Sequence, residues 1–159
     1  MVVEKIISDQ ERKEIEDMFP HVPYKKAVCI DALRIVQKYH GWVSDEAVKE
    51  LSEILDMSPD EIDSVATFYT MVFRRPVGRH VIMICDSISC WIMGYEQILE
   101  ALKNKLSIKF GETTADNRFT LLPIVCLGNC DHAPTMIIDR DLHNDLTIDK
   151  LDEILEQYQ

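Results

Sequence analysis

The sequence predicts an α+β protein, with an N-terminal helical bundle over residues 1–75 and a two-layer α/β domain over residues 76–159. Apolar residues recur at helical spacing throughout the first part. In the second part, apolar runs of strand length alternate with helical patterns. The segment FRRPVG, Phe73 to Gly78, separates these two patterns and therefore marks the expected boundary.

Four helices are expected in the first part, and each carries a local start or stop signal. A capping box over Ser8–Glu11 begins the first helix, and Pro20 and Pro23 end it. Gly41 is a suitable C-terminal cap for the second helix. Ser44 and Ser58 are typical N-caps for the third and fourth. The apolar stripe of the second helix comprises Cys29, Ala32, Leu33 and Val36.

Strands and helices alternate in the second part. The run His80–Cys85 is almost continuously apolar, which is typical of a strand buried on both faces. The other expected elements are a helix over Gly94–Leu106, strands over Phe119–Val125 and Thr135–Ile138, a short strand near Leu142 and a last helix capped by Thr147. This order predicts one sheet covered by helices.

Composition excludes several classes of function. The 159 residues include 28 Asp plus Glu against 17 Lys plus Arg, a net charge of -11, which disfavours binding to nucleic acid and to anionic membranes. No apolar run approaches the roughly 18 residues of a spanning helix, so no membrane insertion is expected. Acidic residues, Glu4 among them, occupy the N-terminus where a signal peptide needs an apolar core. We therefore expect a cytoplasmic protein with reduced thiols.

Four of the five cysteines form two close pairs, Cys85 with Cys90 and Cys126 with Cys130. Each pair follows a predicted strand. Because a right-handed β-α-β crossover returns the chain to the same edge of a sheet, we expect the four thiols to converge there. No nucleophile can be matched with a base, so no catalytic residue is predicted.

Four thiols at one place are compatible with a [2Fe-2S] cluster, a tetrahedral zinc ion or two disulfides. Reduced cytoplasmic thiols disfavour the disulfides, and the absence of C-x-x-C disfavours a thioredoxin-type dithiol. The spacings C-x4-C and C-x3-C leave zinc and the cluster both open. Gly94 and Gly128 favour the cluster, because they allow backbone N–H groups to approach its sulfur atoms.

A longer motif carries a family resemblance. Asp116, Phe119 and Thr120 precede the sequence Cys126-Leu127-Gly128-x-Cys130-x-x-Ala133-Pro134. This pattern resembles the signature of one family of iron-sulfur subunits, the E subunits of the NADH-quinone oxidoreductases of respiratory complex I. The stretches SVATFYT and FRRPVGRHVI also resemble that family, and the resemblance covers essentially the whole chain.

The resemblance implies a thioredoxin-like ferredoxin domain with one [2Fe-2S] cluster, whose cofactor and metal ligands would be Cys85, Cys90, Cys126 and Cys130. It implies a non-catalytic subunit of a proton-translocating oxidoreductase, inactive alone, that exchanges electrons with FMN. The FMN and the NADH site would belong to a partner subunit, beside a neighbouring iron-sulfur subunit. The complex would attach its peripheral arm to the cytoplasmic side of the inner membrane.

The chain itself is consistent with a flavin on a partner, because it contains no G-x-G-x-x-G and no P-loop motif. Three alternatives remain at this point. The chain could serve an NAD-reducing hydrogenase or an NAD-dependent formate dehydrogenase, or it could be a zinc-stabilised interaction module.

Two residues depart from the family pattern. Trp91 stands where many relatives have His, which would alter the cover of the cluster, and Asn117 replaces a turn Gly while still tolerating positive φ. Outside the motif, Cys29 is expected to be a buried small hydrophobe and His132 a surface residue. One basic cluster could dock an acidic partner or form a solvated turn: Arg74, Arg75, Arg79 and His80.

Overall fold

The computed structural model describes residues 5–159, so Glu4 and the rest of the first four residues lie outside it. The chain divides into two compact units, Met1–Pro76 and Val77–Gln159. Among the residues that the structure describes, no helix is long and apolar enough to cross a membrane.

The first unit is helical, and its helices begin where local capping residues dictate. Ser8 and Ser58 each form a complete capping box, with Glu11 and Glu61 respectively, and Ser44 accepts a hydrogen bond from the Ala47 N–H. Short 3₁₀ turns cover Phe19–His21 and Lys25–Val28. The helices are α1 (Asp9–Glu16), α2 (Cys29–His40), α3 (Asp45–Leu55) and α4 (Pro59–Phe68).

These helices enclose one apolar core. Gly41 adopts the left-handed conformation with φ 79°, so it ends α2 as predicted. The expected stripe of α2 is buried, and it packs with the apolar faces of α1, α3 and α4. The largest fully buried side chains of this core are Ile7, Ile15, Leu33, Leu51, Leu55 and Ile62.

Arg74 belongs to this unit and is not a free surface cation. Its guanidinium donates to Asp63 and Asp45 at 2.7 Å each, and to the carbonyl oxygen of Val43. A guanidinium can satisfy several acceptors in one plane, so Arg74 ties the end of the unit to α3, α4 and the turn before α3. Arg74 is therefore engaged within the first unit and does not contribute to a docking surface.

The second unit contains a four-stranded mixed sheet in the order β2-β1-β3-β4. β1 pairs with β2 in parallel and with β3 antiparallel, and β3 pairs with β4 antiparallel. The elements are β1 (His80–Cys85), α5 (Ile88–Ile92), α6 (Tyr95–Leu106), β2 (Phe119–Ile124), β3 (Met136–Ile138), β4 (Asp141–His143) and α7 (Lys150–Glu156). The predicted α+β class is confirmed.

Helices α6 and α7 cover one face of the sheet. Ile82 and Ile84 alternate along β1 and pack with Leu102 of α6 and Leu151 of α7. Since residues two apart in a strand point to the same face, this packing produces the expected two layers. Five of the six β1 residues are buried, in agreement with the apolar run.

Three local features of this unit refine the sequence prediction. The short helix α5 lies where the sequence predicts only a loop between the first two cysteines. Thr147 does not cap the last helix, because α7 begins after Asp149 and no side chain caps it. Asn117 adopts φ 60°, so the turn before β2 is kept despite the missing glycine.

Candidate cofactor site

Both cysteine pairs lie at one edge of the sheet. Cys85 is the last residue of β1 and is paired in parallel register with Ile124, the last residue of β2. Cys90 lies in α5, and Cys126 follows β2 after one intervening residue. Cys130 begins a 3₁₀ turn. The parallel pairing therefore directs the two cysteine loops to the same edge of the sheet.

The two pairs differ in their exposure to solvent. Cys85 and Cys90 are buried, whereas Cys126 and Cys130 are exposed. Around the buried thiols, the small apolar cluster comprises Ala133, Tyr95, Ile124 and Leu127. Tyr95 is the first residue of α6, so the positive end of this helix begins beside the first pair.

The thiols affect one another's pKa values. Burial raises the pKa of Cys90, and the neighbouring Cys85 raises it further. In contrast, the pKa of Cys126 is lowered, first by the Gly128 N–H and then by Cys130, with a smaller contribution from Cys85. Cys85 therefore acts on the pKa of one thiol from each pair.

Backbone geometry supports the second pair. The N–H of Gly128 donates to the Cys126 sulfur at 3.3 Å. Gly128 adopts φ 74°, a conformation that residues with a Cβ rarely accept, so glycine is the residue best suited to this turn. An N–H aimed at sulfur stabilises negative charge, and the second loop is therefore suited to a thiolate.

Thr135 and Ser87 are site residues that the sequence analysis does not single out. The Thr135 hydroxyl lies 3.8 Å from the Cys90 sulfur, and its carbonyl accepts the Cys85 N–H at 3.1 Å. Ser87 precedes α5, and its side chain helps to lower the pKa of Cys126. The sequence feature that could have identified Thr135 is its position as a polar residue directly before the apolar run of β3.

The arrangement of the thiols suits ligation in pairs. The sulfur atoms of Cys126 and Cys130 are 3.9 Å apart. Two thiolates on one tetrahedral metal, bound at about 2.3 Å, lie about 3.8 Å apart. Within residues 5–159, no three metal-binding side chains gather closely enough for one ion. A [2Fe-2S] cluster takes its ligands as two pairs, one on each iron, and these residues fit it.

Exposed apolar side chains lie next to Cys90 and Cys126 in the chain, and we call them the site patch. Trp91 directly follows Cys90, remains 54% exposed and donates from its indole N–H to Glu96 at 3.3 Å. The other exposed members of this site patch are Ile88, Ile92, Met93 and Val125. Exposed apolar groups that cluster in this way are typical of interaction surfaces.

Cys29 and His132 are not among the four paired cysteines, and their surroundings differ. Cys29 is buried in the core of the first unit, and burial raises its pKa. His132 is exposed, and its Nδ1 lies 3.1 Å from a carboxylate oxygen of Asp145. Both descriptions agree with what the sequence predicted for these residues.

Comparison with known proteins defines the class of protein. The family model of the thioredoxin-like [2Fe-2S] ferredoxins matches residues 15–159. The chain belongs to this family, and the thioredoxin-like fold expected from the motif is confirmed.

The similar curated proteins are more specific. The chain is 50% identical to the NADH-quinone oxidoreductase E subunit of Escherichia coli (strain K12), over 96% of this chain and 92% of that protein. It is 47% identical to the E subunit of Buchnera aphidicola subsp. Acyrthosiphon pisum, over 96% of this chain and 94% of that protein. These matches confirm the family resemblance that the sequence motif indicated.

Solved structures are also similar in fold. A chain of the NAD+-reducing [NiFe]-hydrogenase in the air-oxidized state superposes with a TM-score of 0.70 at 26% identity. The match covers 82% of this chain but 22% of the hydrogenase chain. In that hydrogenase, a region with this fold is one part of a much longer polypeptide.

Proposed function

We propose that this chain is the electron-transfer subunit of an NADH:quinone oxidoreductase. One [2Fe-2S] cluster is held by Cys85, Cys90, Cys126 and Cys130, and electrons pass between it and FMN in a partner subunit. The chain makes and breaks no substrate bonds, so NADH oxidation, quinone reduction and proton translocation belong to the assembled complex.

The observation that carries this proposal is the pairing of the thiols. Cys126 and Cys130 are separated by the distance expected for two ligands of one tetrahedral metal, and Cys85 and Cys90 form the second pair. When bound, the cluster supplies a centre that accepts and releases one electron. The chain's own part is to hold four thiolates, to donate the Gly128 N–H to sulfur and to keep water from the buried pair.

The names of the relatives, which are subunits of an oxidoreductase, and the site patch support the partners in this proposal. The FMN and the NADH site belong to one partner subunit, and a further iron-sulfur subunit lies beside it. The site patch brings exposed apolar surface to the edge of the thiol site, where a partner has to approach for electron transfer. The helical unit, residues 1–75, serves assembly, and the complex attaches to the cytoplasmic side of the inner membrane.

The proposal is tested by anaerobic purification, a visible spectrum and low-temperature EPR after reduction with dithionite. Iron, sulfide and zinc are measured in the same sample. We expect a red-brown protein with about two irons and two sulfides per chain and a spin-half signal on reduction. A colourless protein that holds one zinc and resists reconstitution with iron and sulfide would make the chain a zinc interaction module.

The hydrogenase likeness supports a second candidate, the equivalent subunit of an NAD-reducing hydrogenase. Identity favours the first candidate, since it reaches 50% with the Escherichia coli relative against 26% with the hydrogenase chain. A formate dehydrogenase subunit would share the same cluster. Affinity purification of the chain from its own cells distinguishes the three, because quinone-, hydrogen- and formate-linked NAD activities would copurify differently.

A further inference from the structure

Thr135 contacts both members of the buried cysteine pair. Its carbonyl accepts the Cys85 N–H at 3.1 Å, and its hydroxyl lies 3.8 Å from the Cys90 sulfur. The residue is 1% exposed, which makes it one of a few buried polar residues in the described part of the chain. Sulfur is large and its hydrogen bonds are long, so this hydroxyl is placed to interact with Cys90.

Among the residues that the structure describes, the Thr135 hydroxyl has no competing partner. Across residues 5–159, the Cys90 sulfur is the only group within hydrogen-bonding range of its oxygen. Burying a hydroxyl away from water costs free energy unless the hydroxyl forms a hydrogen bond. The Thr135 hydroxyl therefore has the Cys90 sulfur as its hydrogen-bond partner.

The direction of this hydrogen bond depends on the state of Cys90. In the free thiol, either the sulfur or the oxygen could donate. A thiolate bound to a metal has no proton, so only the Thr135 hydroxyl can then donate. A donor aimed at a ligand sulfur stabilises the more negative, reduced state of a cluster and raises its reduction potential.

We propose that the Thr135 hydroxyl is a positioning group that donates to Cys90 and raises the reduction potential of the bound cluster. This inference rests on the proposed function, because it requires Cys90 to be a cluster ligand. It adds a specific residue, outside the four cysteines, that sets how readily the subunit accepts an electron.

The test compares two substitutions in the holoprotein. Thr135→Val keeps the shape of the side chain but removes the hydroxyl, whereas Thr135→Ser keeps the hydroxyl. Reduction potentials are measured by EPR-monitored titration with dithionite and mediators. We expect Thr135→Val to raise the oxidised-to-reduced ratio of the cluster at a fixed potential by up to about tenfold, which corresponds to a reduction potential about 59 mV more negative. The reduction potential of Thr135→Ser should stay close to that of the unmodified protein.

Thr120→Val is the matched control. Thr120 is also buried, and its hydroxyl bonds the Gly78 N–H and Thr113. It pairs with Val81, far along β1 from Cys85, so its loss should leave the potential unchanged. A shift of equal size in Thr120→Val would overturn the assignment to a specific hydrogen bond.

The remaining outcomes are also decisive. Equal potentials in Thr135→Val and the unmodified holoprotein would overturn the role of Thr135 while leaving the proposed function intact. An unmodified protein without any cluster would instead defeat the proposed function. If Thr135→Val loses its cluster, Thr135→Ser decides: retention with serine supports the hydroxyl, and loss with serine assigns the effect to packing.

Discussion

The two cysteine loops reach the same site by different means. The first loop is built by packing, because Cys85 ends a buried strand and Cys90 lies on a short helix against Ala133 and Tyr95. The second loop is exposed, and its geometry comes from the backbone of Gly128. The first loop is therefore preformed by core packing, whereas the geometry of the second loop depends more on a bound cofactor.

The largest expected effect is on cluster binding, which should need both loops equally. Cys85→Ala and Cys126→Ala each remove one of the four proposed ligands, so both should abolish stable binding, measured as iron and sulfide per chain. Cys29→Ala is the control and should leave the visible spectrum unchanged, since Cys29 lies in the core of the first unit. Loss of the chromophore in Cys29→Ala would contradict the ligand assignment.

In the metal-free protein, the two loops should differ in thiol reactivity. The pKa of Cys126 is lowered and the residue is exposed, whereas burial raises the pKa of Cys90. Because the thiolate is the nucleophile, alkylation of Cys126 should reach half its maximal rate below the ordinary thiol pKa, and that of Cys90 above it.

At neutral pH, Cys126 should therefore be alkylated at least about ten times faster than Cys90. Peptide mapping by mass spectrometry after brief iodoacetamide treatment at a series of pH values measures both rates. Equal rates at the two cysteines would remove the contrast between a packed loop and an exposed loop.

A glycine substitution tests the backbone contribution to the second loop. Gly128→Ala meets no steric neighbour but places a Cβ at φ 74°, which costs about 1–2 kcal/mol. We expect the cluster to be released several-fold faster, as followed by visible absorbance during dilution into chelator.

Gly111→Ala is matched to this variant, because Gly111 has φ 79° and equally open surroundings. It should cost similar free energy of unfolding in chemical denaturation without any change in cluster release. If both variants release the cluster at the same increased rate, general destabilisation explains the effect, and the turn has no particular role.

The smallest effect on the isolated chain is expected for the site patch. Trp91→Ala removes an exposed indole whose hydrogen bond is to the exposed Glu96, so the free energy of unfolding should change by less than about 0.5 kcal/mol. Thermal denaturation measures this. A change above about 2 kcal/mol would show that Trp91 packs into the first loop and is not available to a partner.

Local sequence signals predicted the helices of the first unit well. Ser8, Ser44 and Ser58 cap helices through hydrogen bonds to N–H groups three residues away, so their effect needs no distant contact. Helix α5 escaped prediction because five residues are too few to show a helical period. The surroundings of Arg74 could not be predicted either, since its acceptors lie 11 to 31 positions away in sequence.

The sequence by itself determined the order of the longer helices and the strands, the two cysteine pairs and the edge of the sheet to which their loops lead. These features follow from short-range periodicity and from the fixed hand of the parallel crossover. Only the tertiary structure decided which pair is buried, how Gly128 is oriented and that Thr135 lies beside Cys90. Burial and contacts between residues 45 positions apart arise when the sheet assembles, and no local pattern encodes them.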